Sequence, residues 1–117
     1  MAADVDDITI LPVADRGALD AIAAIDPDLL GELVDCYRRD GRAHVDAIVG
    51  AHGRGDVERL RNHAHALKGA SGTIGARRVQ RLCAVLQQAT KQAAGRRIAE
   101  LEDAFEDSLR AIVAAAS

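Results

Sequence analysis

A histidine followed three residues later by a lysine, with glycines nearby, is the group in this sequence best suited to chemistry. If the surrounding run is an α-helix, one polar face holds Arg61, Lys68, Gly69 and Gly72, each within about 60° of His65. Imidazole is a nucleophile near neutral pH, because its ordinary pKa of about 6.5 leaves one ring nitrogen with a free lone pair. The histidine can therefore accept a phosphoryl group, and Lys68 and Arg61 would offset the charge on the phosphoryl oxygens.

The two glycines on this face indicate that it has a function beyond folding. Glycine inside a helix costs about 1 kcal/mol relative to alanine, so a purely structural helix gains nothing from Gly69 or Gly72. The alternative is that the helix ends at Gly69 in a glycine-rich turn. A continuing apolar period favours an unbroken helix, and its members are Leu60, Leu67, Ala70 and Ile74. The bare glycine surface would then let another macromolecule approach the histidine.

The motif His65-x-Leu67-Lys68-Gly69-x-x-Gly72-x-x-Gly75-Ala76 resembles the phosphoacceptor motif of histidine-containing phosphotransfer (HPt) domains, the four-helix-bundle carriers of multistep two-component relays. The resemblance runs from about Leu19 to about Leu109. It implies that His65 is phosphorylated, that Lys68 stabilises the phosphate, and that Gly69 stays small for a docking receiver domain.

Two positions depart from the family pattern. Tyr37 stands where many members carry phenylalanine, and the stretch from Thr90 to Gly95 looks short for the connection between the last two helices.

The resemblance implies a phosphocarrier that works with response-regulator receiver domains and with a histidine or hybrid kinase. It implies no cofactor on this chain, and any Mg²⁺ would belong to the receiver. No G-x-x-x-x-G-K-[ST] loop is present, so we expect neither ATP binding nor kinase activity. The alternative is an adaptor of the same fold that docks on a receiver or kinase and regulates it without carrying phosphate.

Composition predicts one all-α domain. Of the 117 residues 49% are apolar and only 2% aromatic, so a core of Ala, Leu, Ile and Val in closely packed helices is expected. We predict a flexible or loosely packed arm over residues 1–12 and a single bundle domain over residues 13–115.

Helical periods and capping residues predict an antiparallel four-helix bundle with an additional short N-terminal helix over one end. Asp15 caps the short helix, and Asp26-Pro27 restarts the chain in a helix that runs to about Ala51. Asp56 caps the helix that carries the histidine. The next helix is predicted from the apolar residues Val79, Leu82, Cys83, Leu86 and Ala89, and it is expected to end near Gly95 as a C-cap. The last helix is predicted from Ile98, Leu101, Phe105, Leu109 and Ile112.

Charge is strongly segregated along the chain. Residues 1–35 carry a formal charge of −8, residues 36–97 carry +9, and residues 98–117 carry −4. The basic block contains His65 and would steer an anionic partner, such as the acidic site of a receiver domain. The pI of 5.7 and the presence of only one aromatic residue, Tyr37, in the basic block argue against nucleic acid. For Arg77, Arg78 and Arg81 a solvated face and an extension of the cationic surface are equally good interpretations.

The remaining histidines are predicted to be structural. His63 lies about 200° around the helix from His65 and faces the bundle, so the two cannot bind one metal ion, and no metal site is expected. His44 is predicted at a half-buried helical position and His52 in a loop.

Two cysteines, Cys36 and Cys83, are too few for a disulfide scaffold and indicate a reducing compartment, where both serve as small apolar residues. No signal peptide and no membrane-spanning run is evident, which favours a cytoplasmic protein without a membrane segment.

Overall fold

The structure, a computed structural model, describes residues 8–117. A short 3-10 turn at Ile8–Ile10 precedes the helices. These are α1 (Arg16–Ile25), α2 (Pro27–Cys36), α3 (Arg42–Arg54), α4 (Val57–Ile74), α5 (Arg77–Leu86) and α6 (Lys91–Ala116), with a π-helical turn at Tyr37–Gly41 that joins α2 to α3 without a break. No strand occurs in this part of the chain, which confirms the predicted all-α bundle.

Four helices close the bundle. α4 packs between α3 and α5, and α6 packs against both α5 and α3. The connections between α3, α4, α5 and α6 are short, so each of these helices runs antiparallel to the one before it. The core is aliphatic apart from Phe105 and Tyr37, whose rings lie 5.4 Å apart between centroids.

The predicted capping residues begin their helices as expected. A side-chain oxygen of Asp15 accepts the amide hydrogen of Ala18, one of Asp26 accepts that of Asp28, and one of Asp56 accepts that of Arg59. Such caps satisfy amide groups that the first helical turn leaves without partners. Local sequence therefore sets where three of the helices start.

The helix that follows Asp26 is longer than predicted. It continues through the π-helical turn to Arg54, and Gly55 ends it in the left-handed conformation with φ of 71°. His52 consequently lies in α3 rather than in a loop. The three glycines near this end gave the wrong boundary, because Gly50 and Gly53 stay helical and only Gly55 leaves the helix.

Gly95 does not end a helix, as the sequence had indicated. α5 ends at Leu86, and α6 begins at Lys91 after Thr90, whose hydroxyl oxygen accepts the amide hydrogen of Ala93. Gly95 lies in the second turn of α6, where a β-carbon would be 3.4 Å from Nε2 of His52. Its small size therefore lets α6 approach α3, and the connection between the last two helices is residues 87–90.

Residues 8–12, predicted as part of a flexible arm, are packed on the domain. Ile8 is buried, and the guanidinium of Arg78 donates to the carbonyl oxygens of Leu11 and Thr9. The amide of Asp15 donates to the carbonyl of Gly75 over 2.8 Å, which fixes the start of α1 on the turn between α4 and α5. The rest of the predicted arm, residues 1–7, lies outside the described residues.

Gly41 is required by packing against the core. A β-carbon there would lie 2.6 Å from Cε1 of the fully buried Phe105 ring. The π-helical turn places this glycine directly against the aromatic ring. Because a buried ring cannot move aside as the end of a flexible side chain would, any larger residue must displace the backbone or the core.

We therefore expect Gly41→Ala to lower the free energy of unfolding by about 1–3 kcal/mol, the usual effect of overpacking. Gly31→Ala is the matched control, since Gly31 is helical and exposed with nothing within 4 Å of an added β-carbon. That variant should be stabilised by about 0.5–1 kcal/mol. Denaturant unfolding of both variants checks this, and a Gly41→Ala variant as stable as Gly31→Ala would contradict the packing argument.

Candidate functional site

His65 lies on the exposed face of α4, in an unbroken helix. The helix runs from Asp56 at its N-cap to Gly75, which takes the left-handed conformation with φ of 81°. Gly69 and Gly72 are both inside it, so the helix does not end at Gly69. The buried face consists of Leu60, Ala64, Leu67, Ser71 and Ile74. Ala70, predicted on that face, is exposed.

Gln87 contacts the imidazole of His65. Nε2 of Gln87 lies 3.3 Å from Nδ1 of His65, and the glutamine immediately follows α5. The other ring nitrogen, Nε2, has no hydrogen-bond partner among residues 8–117. The contact thus engages one nitrogen of the ring and leaves the second one available.

Gln87 was not identified from the sequence, although hairpin geometry could have found it. α4 and α5 are antiparallel neighbours joined by Gly75-Ala76, so residues at similar distances from this turn lie opposite each other. His65 is ten residues before Gly75, and Gln87 is eleven after Ala76. The same register places Gln80 against Gly72.

The two cations of the predicted site are not engaged by carboxylates. Arg61 is exposed and Lys68 is half-buried, and neither forms an ion pair within the described part of the chain. Burial raises the pKa of the Cys83 thiol to about 12, and the nearby charge of Lys68 opposes that rise. Lys68 is therefore close enough to Cys83 for its charge to act on the thiol, and no carboxylate of the described residues pairs with it.

The structure distinguishes the two glycines of the predicted docking surface. Gly69 is exposed, and nothing lies within 4 Å of the position a β-carbon would take. Gly72 is half-buried, and a β-carbon there would meet Nε2 of Gln80 at 3.0 Å. Only Gly69 presents bare surface beside the histidine, whereas Gly72 also makes room for a side chain of α5.

Arg77 and Arg78 contact the chain itself, so a simple solvated face does not describe them. Arg77 donates to the carboxylate of Asp15 over 2.9 Å and to the carbonyl of Gly72 over 3.2 Å. The hydrogen bond from Arg77 to the Asp15 carboxylate lowers the pKa of Asp15. Arg78 holds residues 9 and 11, and Arg81 is exposed.

His63 lies on a different face from His65 and is half-buried against His44. The Nδ1 atoms of His44 and His63 are 3.0 Å apart. Burial lowers the pKa of His63, and the nearby charges of His44 and Arg59 lower it further. His44 occupies the half-buried helical position predicted for it.

The two cysteines differ in their environments. Cys83 is fully buried, as expected of a small apolar residue. Cys36 is exposed, and its thiol donates to the Asp40 carboxylate over 3.1 Å. That hydrogen bond raises the pKa of the thiol, which keeps it protonated.

The described residues contain neither a metal-binding cluster nor a membrane-spanning helix. Between residues 8 and 117, no three His, Cys, Asp or Glu side chains come together as a metal-binding group. Over the same residues, no helix is both long and apolar enough to cross a membrane.

Comparison with known proteins gives one family. A family model described as the Hpt domain matches residues 32–115, which is most of the chain and includes all of α3 to α5. No curated protein matches the chain.

Proposed function

The chain belongs to the Hpt domain family, and from this premise we propose that it is a histidine phosphocarrier of a multistep two-component phosphorelay. Hpt domains act in histidine phosphotransfer, as carriers rather than kinases, with receiver domains and kinases as their partners. In the proposed reaction, His65 takes a phosphoryl group from the aspartyl phosphate of one receiver domain and gives it to the aspartate of another. The observation that carries the proposal is an exposed imidazole held through Nδ1 by Gln87 and flanked by the bare surface of Gly69.

Nε2 of His65 is the proposed nucleophile. Its lone pair attacks phosphorus as the bond from phosphorus to the aspartyl oxygen breaks, so an N–P bond forms and the receiver's carboxylate leaves. Lys68 offsets the negative charge spread over the three phosphoryl oxygens, and Arg61 assists from the preceding turn. Donation to the second receiver is the same step in reverse, with the new aspartate as acceptor.

Gln87 supports this step by fixing the protonation of the ring. The two ends of a glutamine amide exchange places by a half-turn, so Gln87 can accept a hydrogen bond from Nδ1–H through its carbonyl. With the proton on Nδ1, the lone pair is on Nε2, where attack occurs. The positive charge that develops on the ring during transfer then lies beside the amide oxygen and is stabilised by it.

The surface around His65 suits a partner that brings most of the active site. The described residues offer cations and a bare helix face but no cluster of carboxylates that would hold a metal. We propose that any Mg²⁺ that takes part in the reaction belongs to the receiver domain, whose acidic site would meet Lys68 and Arg61. Gly69 lets the receiver approach His65 most closely, and Gly72 leaves the next turn of the helix without a projecting side chain.

We expect Gln87→Ala to slow phosphoryl transfer by up to about tenfold, the effect of losing one hydrogen bond of about 1 kcal/mol. Gln88→Ala is the matched control, because Gln88 is the next residue and is exposed on the groove between α5 and α6. Rates of label transfer from a phosphorylated receiver check this. Equal rates for the two variants would show that Gln87 does not position the ring.

A relay with two receivers tests the function itself. The purified chain is incubated with a receiver labelled on its aspartate, and a second, unlabelled receiver is then added. We expect label to appear on the chain, to disappear in acid, and to move to the second receiver. The chain alone with ATP and Mg²⁺ should stay unlabelled. A chain that binds the receiver without taking label would be a regulatory adaptor, and the phosphocarrier proposal would fail.

A further inference from the structure

A direct hydrogen bond between two histidine rings joins α3 to α4, at a place that phosphoryl transfer does not use. His44 and His63 are both half-buried, and the two Nδ1 atoms lie 3.0 Å apart. The ring centroids are 5.2 Å apart, and the ring planes are inclined by 52°. Because a ring nitrogen without hydrogen can only accept, one Nδ1 carries a proton and donates it while the other accepts through its lone pair. The contact therefore requires a particular protonation pattern.

The pair can take up one proton from solvent without losing this hydrogen bond. In the donor ring, Nε2 holds the free lone pair, so the first added proton binds there. That ring becomes an imidazolium that still donates from Nδ1, and a charged donor strengthens the hydrogen bond. The second proton has no such place, because the only lone pair left is on the Nδ1 atom that accepts the bond.

Protonation of both rings makes the contact repulsive. Both Nδ1 atoms would then carry hydrogens directed at each other across 3.0 Å. Two positive rings would also face each other with centroids 5.2 Å apart, and like charges repel more strongly where water is partly excluded. Because His44 belongs to α3 and His63 to α4, separation of the rings weakens the contact between these helices.

The surrounding charges decide which ring donates. The Asp40 carboxylate, in the π-helical turn, is close enough to His44 for their charges to interact, so the first positive charge is favoured on His44. The thiol of Cys36 lines the same groove and stays protonated, so it adds no charge. Burial lowers the pKa of His63, and the nearby charges of His44 and Arg59 lower it further. His44 is thus the donor and His63 the acceptor.

The other titratable groups near the pair do not reverse this order. Burial raises the pKa of Tyr37, which lines the groove of His44, so its phenol stays neutral. Asp56 and Glu58 line the same groove as Arg59 and His63. The surroundings of His63 nevertheless lower its pKa, so the second proton binds only in more acidic solution.

We propose that the hydrogen bond between His44 and His63 is an acid-sensitive contact, which holds α3 against α4 until both rings are protonated and then opens. The direction follows from the acceptor. A histidine whose pKa is lower in the folded chain than its ordinary value of about 6.5 stabilises the fold fully above that value. This stabilisation is lost as the pH falls through the folded value, while Asp15 and Asp40, whose pKa values are lowered, remain ionised.

Denaturant unfolding at about pH 7 and about pH 5 tests the proposal on the whole chain. One extra proton bound on unfolding raises the unfolding equilibrium constant by at most about tenfold per pH unit, and we expect a several-fold rise across this interval. His63→Gln should lose most of this pH dependence, because glutamine does not titrate but can still accept a hydrogen bond from His44. His65→Gln, which removes an exposed histidine from the same helix, is the matched control and should keep it. Equal pH dependence in the unmodified chain and in His63→Gln would overturn the proposal.

A second measurement uses the unmodified protein, so it does not depend on the variants folding. A hydrogen bond between two nitrogens produces an NMR scalar coupling between them in isotope-labelled protein. We expect this coupling between Nδ1 of His44 and Nδ1 of His63 at neutral pH, and we expect acid to remove it. Absence of the coupling at neutral pH, or its persistence after both rings have titrated, would contradict the proposal. Neither experiment requires that His65 carry phosphate, so this proposal and the phosphocarrier proposal can fail separately.

Discussion

His65→Gln should abolish phosphate acceptance. Glutamine keeps a polar side chain of similar reach on the exposed face of α4 but has no nucleophilic nitrogen at neutral pH. The substitution is on the surface, and the buried face of α4 is unaffected, so the fold should persist. Label from a phosphorylated receiver, with circular dichroism to verify folding, gives the comparison with the unmodified chain.

His63→Gln is the control for this loss, because it removes a histidine two residues away on the same helix. His63 is half-buried against His44, on a face that does not include Lys68 or Gly69. The variant should therefore still accept label. Label that persists on His65→Gln, or that disappears in His63→Gln while the fold is retained, would show that the wrong histidine has been assigned.

Stability and function should respond in opposite directions at Gly69. An added β-carbon meets nothing within 4 Å, and the backbone at this position is helical. Gly69→Ala should therefore raise the free energy of unfolding by about 0.5–1 kcal/mol. Gly69→Gln should also fold. Because both side chains would project where a receiver must bring its aspartate to His65, we expect transfer rates in the order Gly, Ala, Gln, with the largest loss for glutamine.

Gly31→Ala separates the two effects. It makes the same chemical change at an exposed helical glycine in α2, again with nothing within 4 Å of the new β-carbon. We expect the same gain in stability with an unchanged transfer rate. Denaturant unfolding and transfer rates on the same proteins test both parts. Transfer by Gly69→Gln at the unmodified rate would mean that the receiver docks elsewhere.

The sequence predicted the features that depend on nearby residues. Asp15, Asp26 and Asp56 are caps whose partners lie two or three residues away, so each could be recognised from its own short segment. The exposed face of α4 also follows from local periodicity. Ala70 is the exception, because periodicity gives its angle on the helix but not how far the neighbouring helices extend over it.

Contacts between distant segments could not be predicted from the sequence. The clash that Phe105 would make with a side chain at Gly41 joins residues 64 positions apart, and no local pattern shows it. Gly95 was misinterpreted for the same reason, since its partner is His52 on α3. The pairing of Gln87 with His65 required the register of the hairpin formed by α4 and α5.

The packing of residues 8–12 on the domain was not predicted for a different reason. Residues 8–12 have no helical period, and this lack of periodicity led to the prediction of a flexible or loosely packed arm. They are held by a side chain from α5, because the guanidinium of Arg78 donates hydrogen bonds to two of their carbonyl oxygens. Irregular backbone can be fixed by such bonds without any pattern in its own sequence.

The most direct test of the central claim is to locate the phosphoryl group on the unmodified chain. After incubation with a phosphorylated receiver, the protein is digested under neutral or alkaline conditions and the modified residue is identified by mass spectrometry. We predict a single phosphoryl group on His65, stable in alkali and lost in acid. Phosphate on His44, His52 or His63, or an acid-stable phosphate on any residue, would contradict the account.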